Sequence, residues 1–153
     1  MSLPYEGATS GSRALDDIQK VLTTFGCQRF GTMTDNDAGE IIVQFTYRKR
    51  DILVKASIRG YATAWLKEHP YSTGRTRCTR IEHERKATAQ AQISTCSILR
   101  DWIKGQVTAI EVGLLTFEGA FLGQIMLPNG RTVLEHAQQA NLLPAPENNS
   151  AAA

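Results

Sequence analysis

Glu40-Ile41-Ile42-Val43-Gln44-Phe45-Thr46-Tyr47-Arg48-Lys49-Arg50-Asp51-Ile52-Leu53-Val54-Lys55-Ala56-Ser57-Ile58 is the stretch that decides the fold. Ile41, Val43, Phe45 and Tyr47 point one way, and Gln44 and Thr46 point the other. That is the period-two alternation of a half-buried strand. After the short connection Arg48-Lys49-Arg50-Asp51, Ile52, Val54, Ala56 and Ile58 alternate with Leu53, Lys55 and Ser57. Two such runs across a polar connection read as an antiparallel hairpin with one buried face. Upstream, Asp35-Asn36-Asp37-Ala38-Gly39 has turn composition, so residues 27–34 read as a third strand. A three-stranded antiparallel meander is expected.

Helical patterns flank it. Ser12 is expected to cap a helix from Arg13, with Leu15, Ile18, Leu22 and Phe25 on one face and Gly26 as its stop. Asp16 and Asp17 would then sit in the first turn, where the helix dipole favours them. A short helix is expected over residues 60–68, ended by His69-Pro70. From about Thr79 a long helix begins. Its stripe Cys96, Leu99, Ile103, Val107, Ile110, Leu114 is spaced 3, 4, 4, 3, 4. Residues 79–94 hold mostly small apolar groups and are expected to be more exposed. Gly105 is expected to bend or weaken the helix. Phe117, Phe121 and Leu122 form an apolar cluster behind a Thr116 cap, then comes an extended piece over residues 124–127. Pro128-Asn129-Gly130 is a turn, and Thr132 to Glu135 matches a capping box opening a last helix. Leu142 and Leu143 are expected to pack down. The fold class is thus α+β: an N-terminal helix, a three-stranded meander and a helical C-terminal half. It is read as one domain over residues 12–143, between a flexible arm (1–11) and a disordered tail (144–153).

With 153 residues, 42% of them hydrophobic, the chain has enough length for one proper core. No apolar run approaches the ~20 residues that span a bilayer. The polar N-terminus lacks the regions of a secretory signal. Cys27, Cys78 and Cys96 stand far apart and form no CxxC pair. Buried thiols in a reducing cytoplasm are expected, without disulfide or structural zinc. The sequon at Asn148-Asn149-Ser150 carries no meaning without secretion.

Charge is segregated. Residues 48–104 hold thirteen of the seventeen lysines and arginines and only five acidic residues, a net +8. The segments on either side each sum to −3. A basic stripe is the footprint of a polyanion binder. Within it, cations alternate with aromatics: Arg59, Tyr61, Trp65, Lys67, His69, Tyr71, Arg75, Arg77, Arg80. Single-stranded nucleic acid uses that mixture, since cations follow phosphates and flat rings stack on bases. Trp65, beside Leu66 on a short helix, reads as a core residue. For Tyr71 both stacking and packing stand. Arg75, Arg77 and Arg80, three cations in six positions with no acid among them, read as ligand contacts. Arg85 and Lys86 extend the set. Arg48-Lys49-Arg50 reads first as a solubilising turn; it joins the site if it lies on the same side as residues 75–80.

Other patterns dissolve. His83-Glu84 opens like a zincin motif, but position 87 is Ala, so the second histidine ligand is missing. Asp35, Asp37 and Glu40 lack the spacing of a calcium loop. Asp101, next to Arg100 and near Lys104, reads as surface pairing. His69 and His136 have no nucleophile beside them in sequence. No GxGxxG, GxxxxGK[ST] or GxSxG occurs. No catalytic residue, metal or cofactor is expected, and a non-enzyme is the reading.

Leu99 to Lys104, Ala109 to Leu114, Thr116 to Leu122 and Leu127-Pro128-Asn129-Gly130-Arg131-Thr132-Val133 resemble small uncharacterised proteins of tailed bacteriophages and prophages. Those carry a C-terminal helix with an Ile/Val-Glu-Ala/Val-Gly core, a Phe-Glu-rich segment and a Leu-Pro-Asp/Asn-Gly-Arg-Thr-Val turn. The resemblance covers about the last third, and more loosely the helix-then-strands start. It implies a phage accessory protein in the bacterial cytoplasm and assigns no activity and no site residue.

The functional expectation is a module that docks single-stranded nucleic acid through Arg48, Lys49, Arg50, Arg59, Tyr71, Arg75, Arg77, Arg80, Arg85 and Lys86. Two others stand beside it: an inhibitor docking on a host protein, such as a defence or nucleic-acid-processing factor, and a sponge for a small nucleotide signal. The stripe from Cys96 to Leu114 is expected to be intramolecular core, with a homodimer seam as the alternative.

Overall fold

The computed structural model describes residues 2–147. The expected sequon and most of the expected tail lie outside them. Helix α1 (Gly11–Phe25) opens two residues earlier than expected, because the Ser10 hydroxyl accepts from the Arg13 N–H and serves as the cap. Asp16 and Asp17 therefore fall beyond the first turn. Gly26, in the left-handed region at φ 106°, closes the helix. Ala14, Ile18 and Leu22 are its buried face; Leu15 and Phe25 are only half-buried.

Strands β1 (Arg29–Asp35), β2 (Glu40–Tyr47) and β3 (Arg50–Ser57) form an antiparallel sheet in the order β1-β2-β3. Phe45 stands opposite Phe30 and Ile52, and Val43 opposite Thr32 and Val54. This register puts Ile41, Val43, Phe45, Ile52 and Val54 on one buried face. The Asp35 carboxylate accepts from the N–H groups of Asp37 and Ala38, an Asx turn, which gives those acids a local structural role. The β2–β3 connection is shorter than expected. Only Arg48 and Lys49 turn; Tyr47 pairs with Arg50, and Asp51 takes the Thr46 hydroxyl bond at 2.6 Å.

Ser57 caps α2 (Ile58–Glu68), which Ile58 begins instead of ending the strand. Helix α3 (Arg80–Glu111) is capped by Thr79 in a reciprocal box with Glu82. It is continuous through Gly105. Helices α1 and α2 flank α3, and all three meet the sheet. Cys96, Leu99, Ile103 and Val107 are buried in this core, so the stripe is occupied within the molecule and is not a free dimer seam. Leu114 does not belong to it: the helix ends before it, Gly113 turns at φ 81°, and Leu114 is 76% exposed. The first half of α3 corrects the other expectation. His83, Ala87, Ala91 and Ser94 are buried, the last three because small side chains let α2 and the N-terminal segment approach closely.

Beyond α3 lie α4 (Phe117–Phe121), a 3-10 turn at Leu122–Gln124 and α5 (Val133–Gln139). Phe121 is fully buried with its ring edge-on to Phe45 and Trp102, at 5.5 and 5.7 Å. Ile125 bridges to Ile52, and Glu135 pairs with Lys55, fastening α5 to β3. Leu142 and Leu143 are exposed and do not pack down. Residues 2–10, expected as a free arm, lie along α2 and α3. The Ser94 hydroxyl donates to the Tyr5 carbonyl at 2.8 Å, and the Gln90 amide to the Ala8 carbonyl at 3.1 Å. The Tyr61 hydroxyl donates to the Pro4 carbonyl at 2.7 Å, and Glu6 pairs with His69.

Candidate functional site

The basic residues divide between the two ends of α3. At its start, α2 and α3 are clamped by rings. Trp65 packs against His69 and His83 with centroids 4.4 and 5.2 Å apart, and His83 against Tyr71 at 5.7 Å. His83 is buried, and its Nε2–H donates to the His69 carbonyl at 2.6 Å. Both histidines thus have structural partners. Trp65 is half-buried within the clamp. From it emerges the loop of residues 70–78, closed on itself by the Thr76 N–H to the Ser72 carbonyl at 2.8 Å. Arg75 and Arg77 are exposed on this loop, and Arg80, Arg85 and Lys86 on the first turns of α3.

None of these five cations has a carboxylate within ion-pair distance among the described residues. Three other cations are ion-paired: Arg50 with Glu118, Lys55 with Glu135, and Arg100 with Asp101 and Asp17. The one carboxylate in the first turn, Glu82, accepts from the Thr79 N–H at 3.1 Å and is committed to the cap. Tyr71 lies between His83 and the Arg80 guanidinium, whose carbon is 5.2 Å from the ring centroid. Part of that ring is therefore already used, which narrows the stacking role expected of it. At about 100° per residue, Arg85 and Lys86 stand roughly 140° and 240° round the helix from Arg80. Arg75, Arg77 and Arg80 are the part of the set closest in sequence.

The remaining expected residues lie elsewhere. Arg59 crosses the β1–β2 turn, where its guanidinium donates to the Asp37 carbonyl at 2.6 Å. Its side chain covers Gly39, at φ 67°, so closely that a Cβ there would fall 2.5 Å from it. Arg59 is thus a turn clasp. Arg48 and Arg50 share a cleft with Ile110, and thirty residues of helix separate Ile110 from Arg80, about 45 Å at 1.5 Å per residue. Arg48-Lys49-Arg50 and residues 75–86 therefore do not converge.

Sequence reasoning missed the cleft itself. It is about 450 Å³ in volume, and its lining includes Tyr47, Ile110, Thr116, Phe117 and Glu118 as well as the arginines. Glu118 is held below the usual carboxylate range by its own backbone N–H and by Arg50. The run Val112-Gly113-Leu114-Leu115, apolar and past the last helical turn, was the available signal. Cys27 is half-buried, and burial pushes its thiol up to about 11, which makes it unreactive. Among the described residues, no cluster of three or more His, Cys, Asp or Glu side chains is placed to hold a metal, and no helix is long and apolar enough to cross a membrane.

Compared with protein-family models, with curated proteins and with solved structures, the chain matches none.

Proposed function

We propose that this chain is a phage-type accessory protein that binds a polyanion, single-stranded nucleic acid in the first place, at the α2–α3 loop and the start of α3. One observation carries the reading: Arg75, Arg77, Arg80, Arg85 and Lys86, five cations within twelve positions, are all exposed and, among the described residues, none has a carboxylate within ion-pair distance. Guanidinium forks left open in this way fit phosphate oxygens. Arg48, Lys49 and Arg50 are left out of this site because of their distance, and Arg59 because of its structural bond.

The test is binding of a labelled oligothymidylate across a salt series. Each phosphate contact adds about 0.7 to the slope of log affinity against log salt for single strands. Replacing Arg75, Arg77 and Arg80 together by Ala should flatten that slope by about 2. A slope unchanged by the triple substitution, or no binding at low salt, overturns the proposal.

A further inference from the structure

The far end of α3 carries a surface of different chemistry. The floor of its cleft is apolar: the Tyr47 and Phe117 rings lie 4.8 Å apart, next to Ile110. Its rim is cationic. Arg48 and Lys49 are exposed with no carboxylate in ion-pair distance among the described residues, while Arg50 shares its charge with Glu118. Between Ile110 and Phe117 the chain leaves the helix and exposes Val112, Leu114 and Leu115 at 64, 76 and 43%. Three large exposed apolar side chains on the short segment joining two lining residues, Ile110 and Thr116, mark a candidate contact surface.

The turn supplies an independent observation. Arg48 and Lys49 both lie in the left-handed region, at φ 48° and 67°. A two-residue hairpin turn of this kind favours Asn-Gly, because Asn tolerates positive φ and Gly has no Cβ, whereas longer side chains are strained there. This chain holds two cations in that strained geometry, and one of them, Arg48, lines the cleft. Strain kept at a surface is a sign of function.

We propose that the cleft between the β2–β3 turn and the end of α3 docks an acidic segment of a partner protein that carries an apolar side chain. The charges are complementary: unpaired cations at the rim meet carboxylates, and the floor takes the apolar group. A nucleic-acid strand fits less well. The Tyr47 ring already stacks on Phe25 at 4.5 Å and lies under the Arg48 guanidinium, and Phe117 is wedged between Tyr47 and Phe121. The aliphatic Val112, Leu114 and Leu115 offer nothing that stacks on a base.

The test uses the full chain and two labelled peptides of glutamates, one with a central Phe and one with Ser in its place. The Phe peptide should bind at least about tenfold more tightly, the value of burying one large apolar side chain. Arg48→Asn with Lys49→Gly should weaken it by about tenfold or more through lost charge-assisted bonds. Leu114→Ser, at an exposed position, should also weaken it. Equal binding of the two peptides, or full binding by the turn variant, overturns the proposal. So does competition at this site by oligothymidylate that survives the Arg75, Arg77 and Arg80 substitutions. Failure here leaves the salt-slope test at the opposite end untouched.

Discussion

Replacing Arg48 by Asn and Lys49 by Gly should stabilise the protein even though it deletes two charges and a packed guanidinium. Each residue now holds a positive φ, 48° and 67°. Holding an L side chain in that region costs roughly 1–2 kcal/mol per residue, so the turn stores about 2–4 kcal/mol. Asn tolerates the region and Gly is unstrained in it. Against the relief stand the extra freedom of Gly in the unfolded chain, roughly 0.4–1 kcal/mol, and the Arg48–Tyr47 contact, roughly 0.5–1 kcal/mol at an exposed site. The net gain is about 1–2 kcal/mol, or about 3–6 °C in Tm for a chain of this length. Urea unfolding at neutral pH, with Arg48→Lys as the control that keeps the strain, measures it. Unchanged or lower stability would refute the claim that the turn is strained, and with it one of the two supports for the docking site. Gained stability with lost peptide binding is the signature of strain retained for function.

Two further predictions concern the first half of α3. Ala87 is fully buried one turn after His83, so Ala87→Leu should destabilise by about 1–3 kcal/mol through overpacking; Ala89→Leu, exposed, should stay within about 0.5 kcal/mol. Chemical denaturation separates the two, and equal effects would remove the close α2–α3 packing. Asp101 is held below its ordinary value by Arg100 and then by Tyr5, whose hydroxyl donates to it at 2.6 Å. Its folded value is depressed, so its contribution is present above the unfolded carboxylate value and is lost as the pH falls through the folded one. Hydrogen exchange of residues 2–10 should therefore quicken as the pH falls below the ordinary carboxylate range, after correction for intrinsic rates. Asp101→Asn should flatten that acid response.

The hairpin was legible because Ile41, Val43, Phe45, Ile52 and Val54 alternate over two runs and one face is buried, which only one register satisfies. Its turn was misread because Arg48-Lys49 lacks the Asn-Gly signal, so two strand residues, Arg50 and Asp51, were counted as loop. The core half of the long stripe was legible from Cys96 to Val107. Leu114 continued the spacing in sequence but not in space, since periodicity has no term for a helix that ends at Glu111. The small residues Ala87, Ala91 and Ser94 gave no hydrophobic signal, although close helix approach buries just such side chains. The candidacy of Arg75, Arg77 and Arg80 rests on composition, and the structure adds only that their side chains are exposed. Their separation from residues 48–50 was not legible, because thirty residues of continuous helix carry a sequence neighbourhood of charge far apart in space.

That separation shapes the reasoning about both sites. Arg80 and Ile110 are about 45 Å apart along one unbroken helix, several times the ~8 Å over which exposed charges act at physiological salt. The cations at one end therefore add almost nothing to the field at the other, and the net +8 of residues 48–104 overstates what any single ligand meets. Substitutions at the two ends share no partners, so their effects on binding and on stability should add. If both proposals hold, a short oligonucleotide and an acidic peptide bind the same molecule together, each with the affinity it has alone. A polyanion long enough to run the length of α3 would instead reach the rim of the cleft and compete with the peptide. The length at which competition begins then reads the distance between the sites in solution.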